Sequence, residues 1–183
     1  MTTKAKLLQE IEETQQRFHQ LLDSIPDEAF AQPSSNPAWT IGELLYHMSI
    51  APKLMVADVE IILKRPFLLT LLPKLFPERL FHWLNARLTR YGARHLDRQF
   101  LADAYDKAHE RILQTFHRLD EADLQKSVHY PDWDPLLAGD VTLAYLFGYI
   151  KRHFDSHAAD INLQLIPQAT TQQASKNHDK NKS

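Results

Sequence analysis

Residues 39–48 read WTIGELLYHM, and this stretch opens a helix. Thr40 suits the N-cap, and Glu43 three residues on completes a capping box in which each side chain answers the other's backbone N–H. Trp39 and Leu44 occupy the two positions of a hydrophobic staple. The pattern continues through LYHMSIAPKLMVADVEIIL to about Lys64. Pro52 falls inside it, removes one backbone bond and should kink the axis. His47 lies two turns past the cap, grouped with Trp39, Glu43, Tyr46 and Ile50. One histidine on such a face is ordinary, so its meaning depends on what the rest of the chain brings to it.

Near the C-terminus, residues 149–165 read YIKRHFDSHAADINLQL, with no Gly or Pro. His153 and His157 are four apart, one above the other on a helix, and two imidazoles so placed can share a metal ion. Alone they read equally well as polar residues of an amphipathic surface. Leu146, Tyr149, His153, His157 and Asp160 trace one face. At a rise of about 1.5 Å per residue, His47 lies about 10 Å from the start of its helix and His157 about 14 Å from the end of the last one. Antiparallel helices would therefore bring all three histidines to one depth. Asp155 points away from the pair, toward solvent. No Glu adjoins the first histidine, so the His-Glu-x-x-His arrangement of zinc proteases is not supported.

Outward from these two stretches, helices are expected. Leu7, Leu8, Ile11, Phe18, Leu21, Leu22 and Ile25 recur at threes and fours over 3–24, ended by Pro26. PDEAFAQPSSNPA reads as loop. Another helix spans 97–119, with Leu101, Ala104, Tyr105, Ala108, Ile112, Leu113 and Phe116 inward. The stretch 120–139 reads as loop, carrying His129 and Trp133 as loop anchors. Asp140 is the expected N-cap of the last helix, which ends before Pro167. The polar tail 168–183 is expected to be disordered. No useful strand alternation is evident. Residues 65–96 differ: three prolines interrupt Leu, Phe and Trp mixed with Arg and Lys, giving an apolar segment, a turn and a helix at 78–91. This insert reads as a helical hairpin packed on the domain or at a homodimer interface. A membrane-surface segment is the second reading. The architecture is all-α: four main helices in one domain, 1–167, with the insert between the second and third.

Composition narrows function. A chain of 183 residues with 44% hydrophobic and 24% charged residues can build a globular core. The absence of cysteine excludes disulfides, thiolate metal sites and a cysteine nucleophile. A net charge of −2 gives no overall field for nucleic acid. No apolar run reaches the length of a membrane span, and the charged N-terminus lacks a secretory h-region, so a cytoplasmic setting is expected. The 10 histidines need sorting. His109 and His117 border an apolar helix face and read as structural, and His19, His82, His95 and His178 carry no motif.

WTIGELLYHM resembles the Trp-Ser/Thr-x-x-Glu/Asp-x-x-x-His segment of the DinB/YfiT-like superfamily, and HFDSH resembles that family's closing His-x-x-x-His. The resemblance covers residues 1–166. It implies a four-helix bundle with a crossover between the second and third helices. It also implies a divalent metal, zinc or nickel, held by His47, His153 and His157. Where family members often carry Gln three residues after the last histidine, this chain has Asp160, a carboxylate able to orient a histidine, accept a proton or join the metal. The resemblance further implies a metal-dependent enzyme acting on a small molecule, as a low-molecular-weight thiol transferase or a hydrolase. The alternative is a non-catalytic metal- or ligand-binding stress-response protein.

Overall fold

The computed structural model describes residues 3–69, 71, 77–134 and 136–161. The first helix, α1 (Thr3–Ser24), buries Leu7, Ile11, Thr14, Phe18 and Leu22, the stripe its spacing predicts. Each large apolar side chain so buried contributes roughly 1.5–3 kcal/mol. The second, α2 (Ile41–Lys64), starts where the sequence says it should. Thr40 Oγ1 accepts from Glu43 N at 3.2 Å, and Glu43 Oε2 accepts from Thr40 N at 3.0 Å. Pro52 lies inside α2. The insert contributes α3 (Glu78–Gly92). The next helix, α4 (Arg98–His117), is capped by Asp97, whose carboxylate accepts from Phe100 N at 2.7 Å. The last, α5 (Leu143–Ala159), ends at Asp160. The expectations for residues 162–167 and for a disordered tail at 168–183 fall outside the described residues.

Two expectations between α4 and α5 are corrected. Residues expected to be loop form an antiparallel hairpin, β1 (Ser127–Asp134) and β2 (Leu137–Thr142), so the fold is predominantly helical rather than all-α. Val141 faces Val128 in the ladder, and the register is irregular between Tyr130 and Asp134. Val128 and Tyr130 point inward and are buried, but Pro131 breaks the alternation at once. Asp140 is not the cap of α5. It lies in β2 opposite His129, with its carboxylate 3.0 Å from His129 Nδ1. Thr142 is the cap, its hydroxyl accepting from Tyr145 N at 3.1 Å.

Helices α1 and α2 each pack on both α4 and α5. Two apolar cores result. One joins Ile11, Val59, Ile112, Phe116, Leu146 and Phe147; the other joins Phe18, Leu22, Leu44, Met48, Leu101 and Phe154. Helices α2 and α5 run antiparallel. His47, early in α2, meets His153 and His157 late in α5, whereas Met55 further along α2 lines a cavity with Ile150. The antiparallel orientation is the one expected, but α5 stops at Ala159, so His157 lies about 3 Å from its end rather than about 14 Å.

Candidate metal centre

The cap fixes where α2 begins, and so fixes His47 two turns later on the side facing α5. The four-residue spacing puts His153 and His157 on the side of α5 facing back. The three imidazoles converge. Nε2 of His47 lies 3.1 Å from Nε2 of His153. The ring of His157 is 5.0 Å from that of His47 and 4.5 Å from that of His153, nearly perpendicular to both. One nitrogen from each ring falls within a 4.8 Å group, a set of donors able to hold a metal ion. Zinc–nitrogen bonds of about 2.0–2.1 Å in tetrahedral geometry separate two nitrogens by about 3.3 Å, close to the His47–His153 spacing.

The surroundings keep these rings neutral. Burial, then the neighbouring His157, pushes His47 down to about 3. Burial and the other two histidines hold His153 well below the usual imidazole range. Burial lowers His157 as well, partly opposed by the carboxylates of Asp160 and Asp134. A neutral imidazole is the ligating form, so no proton has to leave before an ion can bind near pH 7.

The rings are held from behind. Trp39 stacks on His47 at 4.6 Å between centroids and presents an edge to His157 at 6.0 Å. The staple residue of the α2 cap is thus also one wall of the cluster. His47 Nδ1 is buried without a hydrogen-bond partner, so stacking fixes that ring. Asp160 Oδ2 lies 3.4 Å from His157 Nδ1, within reach of orienting the ring from the C-cap of α5. Glu43 is engaged in the capping box.

Tyr149 borders the cluster, its ring 5.4 Å from that of His153. Its hydroxyl donates to Asp134 Oδ2 at the end of β1. Burial first, then this carboxylate, raises the Tyr149 pKa and keeps its proton in place. Beside it lie Asp58 of α2 and Tyr130 of β1. Burial raises the Asp58 carboxyl to about 6. Asp134, Asp58 and Tyr130 were not singled out by the sequence. Two of them depend on the unrecognised hairpin, and the inward alternation of Val128 and Tyr130 was the signal available.

The remaining candidates separate from the cluster. Trp133 stacks on Phe81 of α3 at 5.0 Å, an anchor between hairpin and insert. His129 pairs with Asp140. Asp155 does not simply face solvent: it forms ion pairs with Arg17 and Lys151. His109 is buried and stacks on Tyr105, and His19 bonds Asp106. Among the described residues no helix is long and apolar enough to cross a membrane.

A mostly helical fold whose second and last helices bring three histidines together, His47 and His153 buried and His157 partly so, defines a class of proteins. The chain belongs to the DinB superfamily, whose model matches residues 10–161. Among solved structures it is similar to a mycothiol-dependent maleylpyruvate isomerase. The TM-score is 0.63 at 15% identity, over 91% of this chain and 68% of the other. It is also similar to YfiT from Bacillus subtilis, described as a probable metal-dependent hydrolase with an unusual four-helix bundle topology. There the TM-score is 0.62 at 16% identity, over 86% of this chain and 83% of that one. At these identities the likeness is one of fold. No curated protein matches the sequence.

Proposed function

We propose that this protein is a metal-dependent enzyme in which His47, His153 and His157 hold one divalent ion, zinc or nickel, and that it acts on a small molecule as a thiol transferase or hydrolase. The convergence of three neutral imidazole donors from two helices carries the reading. An ion bound there would lower the pKa of an incoming thiol or water and favour its anion. The chain's own residues do the rest. Asp160 orients His157 from its far nitrogen. Trp39 walls the cluster against water and keeps the local dielectric low. Tyr149, its proton held by Asp134, borders the cluster as a neutral hydroxyl whose oxygen can still accept a hydrogen bond from a bound molecule.

The chain has no cysteine, so any thiol arrives as a co-substrate. The mycothiol-dependent neighbour supports a low-molecular-weight thiol over a protein thiol. We read α1, α2, α4 and α5 as the four-helix bundle of the YfiT type, with the insert between α2 and α4, in a cytoplasmic protein.

The test is a panel of glutathione, cysteine, coenzyme A, bacillithiol and mycothiol with an electrophile such as monochlorobimane, alongside amide and ester substrates. The metal-loaded protein accelerates at least one thiol addition or hydrolysis, and both chelator and His153→Ala abolish the acceleration. If every thiol reacts at the uncatalysed rate and the amides and esters are inert, the enzyme reading falls and a non-catalytic binding protein replaces it.

A further inference from the structure

Helix α3 is amphipathic in the wrong sense for a helix packed on a core. Its small and polar residues face the domain: Thr89 is 1% exposed, and Gly92 meets Tyr46 so closely that an added Cβ would fall 2.1 Å from the Tyr46 hydroxyl. Its large apolar residues face out, with Trp83 55%, Leu88 63% and Tyr91 66% exposed, and Leu80 beside them. The helix is fixed in this orientation. Arg90 donates to the carbonyl of Ala38 at 2.7 Å, and Phe81 stacks on Trp133. Rotating the apolar face inward would break all of these contacts.

The same face is basic. The guanidinium of Arg87 lies over Trp83, and that of Arg94 over Tyr91. Residues 64–95 contain seven Lys and Arg against a single acidic residue, Glu78, in a chain whose net charge is −2. Glu78 is itself close to His82. Positive charge thus accompanies α3 and the turn that follows it, through Arg79, Arg87, Arg90 and Arg94, where several aromatic and aliphatic side chains are also exposed. A second copy docked face to face would set Arg87 and Arg94 near their own equivalents, with no carboxylate on that face to meet them. An anionic bilayer meets both properties at once. Its headgroups neutralise the arginines, its acyl boundary takes Leu80, Trp83 and Leu88, and Trp and Tyr sit well at that depth.

We propose that α3 is a peripheral membrane-docking helix that binds an anionic lipid surface through Trp83, Leu88 and Tyr91 together with Arg87 and Arg94. The proposal is independent of the metal centre.

The full chain is sedimented with vesicles of equal parts phosphatidylcholine and phosphatidylglycerol, and with vesicles of phosphatidylcholine alone. The wild type binds the mixed vesicles and not the neutral ones, and salt weakens the binding. The pairs Trp83→Ser with Leu88→Glu, and Arg87→Glu with Arg94→Glu, each lower the partitioning at least tenfold. Both pairs alter exposed side chains, and circular dichroism checks that the helices persist. The Arg pair leaves the apolar face whole and so tests the surface even if the first pair disturbs the fold. His47→Ala binds vesicles as the wild type does. No binding to the mixed vesicles overturns the proposal, as does binding that neither pair reduces. A wild-type dimer that Leu88→Glu converts to monomer, without vesicle binding, assigns the face to a second copy instead.

Discussion

Asp160 stands beside the cluster, its carboxylate 3.4 Å from His157 Nδ1, which leaves the other ring nitrogen for an ion. Outer partners of this kind typically change metal affinity by about 10–100-fold. Asp160→Asn therefore retains one metal per chain at saturation and weakens affinity by about that factor in a competitive chelator titration. A stoichiometry that falls as far as in a histidine variant would make Asp160 a ligand. Asp58 gives the pH prediction. Burial raises its folded pKa to about 6 from 3.8, so the folded protein favours the neutral acid. Its contribution to stability is fully present below the unfolded value and is lost as pH rises through about 6. Asp58→Asn, neutral at every pH, should be more stable than wild type at pH 8 by of order 1 kcal/mol after discounting for partial exposure, read as a higher melting temperature. The gain should shrink as the pH is lowered to 4. Equal effects at both values would show that folding does not raise the Asp58 pKa.

At the scale of the element, the cap of α2 does two things. It satisfies backbone donors at the helix start and sets the phase that delivers Trp39 and His47 to the cluster. Thr40→Ala should cost about 1 kcal/mol, seen as a melting temperature lower by about 2–4 °C. No measurable change would mean the loop 25–39 fixes α2 without the cap. This start was legible in the sequence because a capping box needs only residues three apart. The pairing of His153 with His157 was legible for the same reason. The hairpin was not. Its inward-facing pattern consists of Val128 and Tyr130 before Pro131 interrupts it, and a two-stranded ladder depends on what it packs against. With the hairpin unread, Asp140 looked like a cap and Asp134 had no reason to be noticed. The insert misled differently. The helix after its last proline was read within a residue of its observed end, but the sequence alone says nothing of which face meets the domain, and here it is the polar one.

For the whole molecule, the account rests on helices distant in sequence closing on one ion. His47 and His153 are separated by 106 positions yet meet at 3.1 Å. That meeting depends on α1 and α4 holding α2 and α5 antiparallel, and on the cores around Phe18 and Phe116 keeping the depths matched. The most direct test is metal content measured by elemental analysis on protein prepared without a histidine tag, for the wild type and for His47→Ala, His153→Ala and His157→Ala. The account predicts one divalent ion per wild-type chain. It also predicts that each substitution sharply lowers occupancy while the helical circular dichroism stays near that of the wild type. Full metal content in His47→Ala would contradict it.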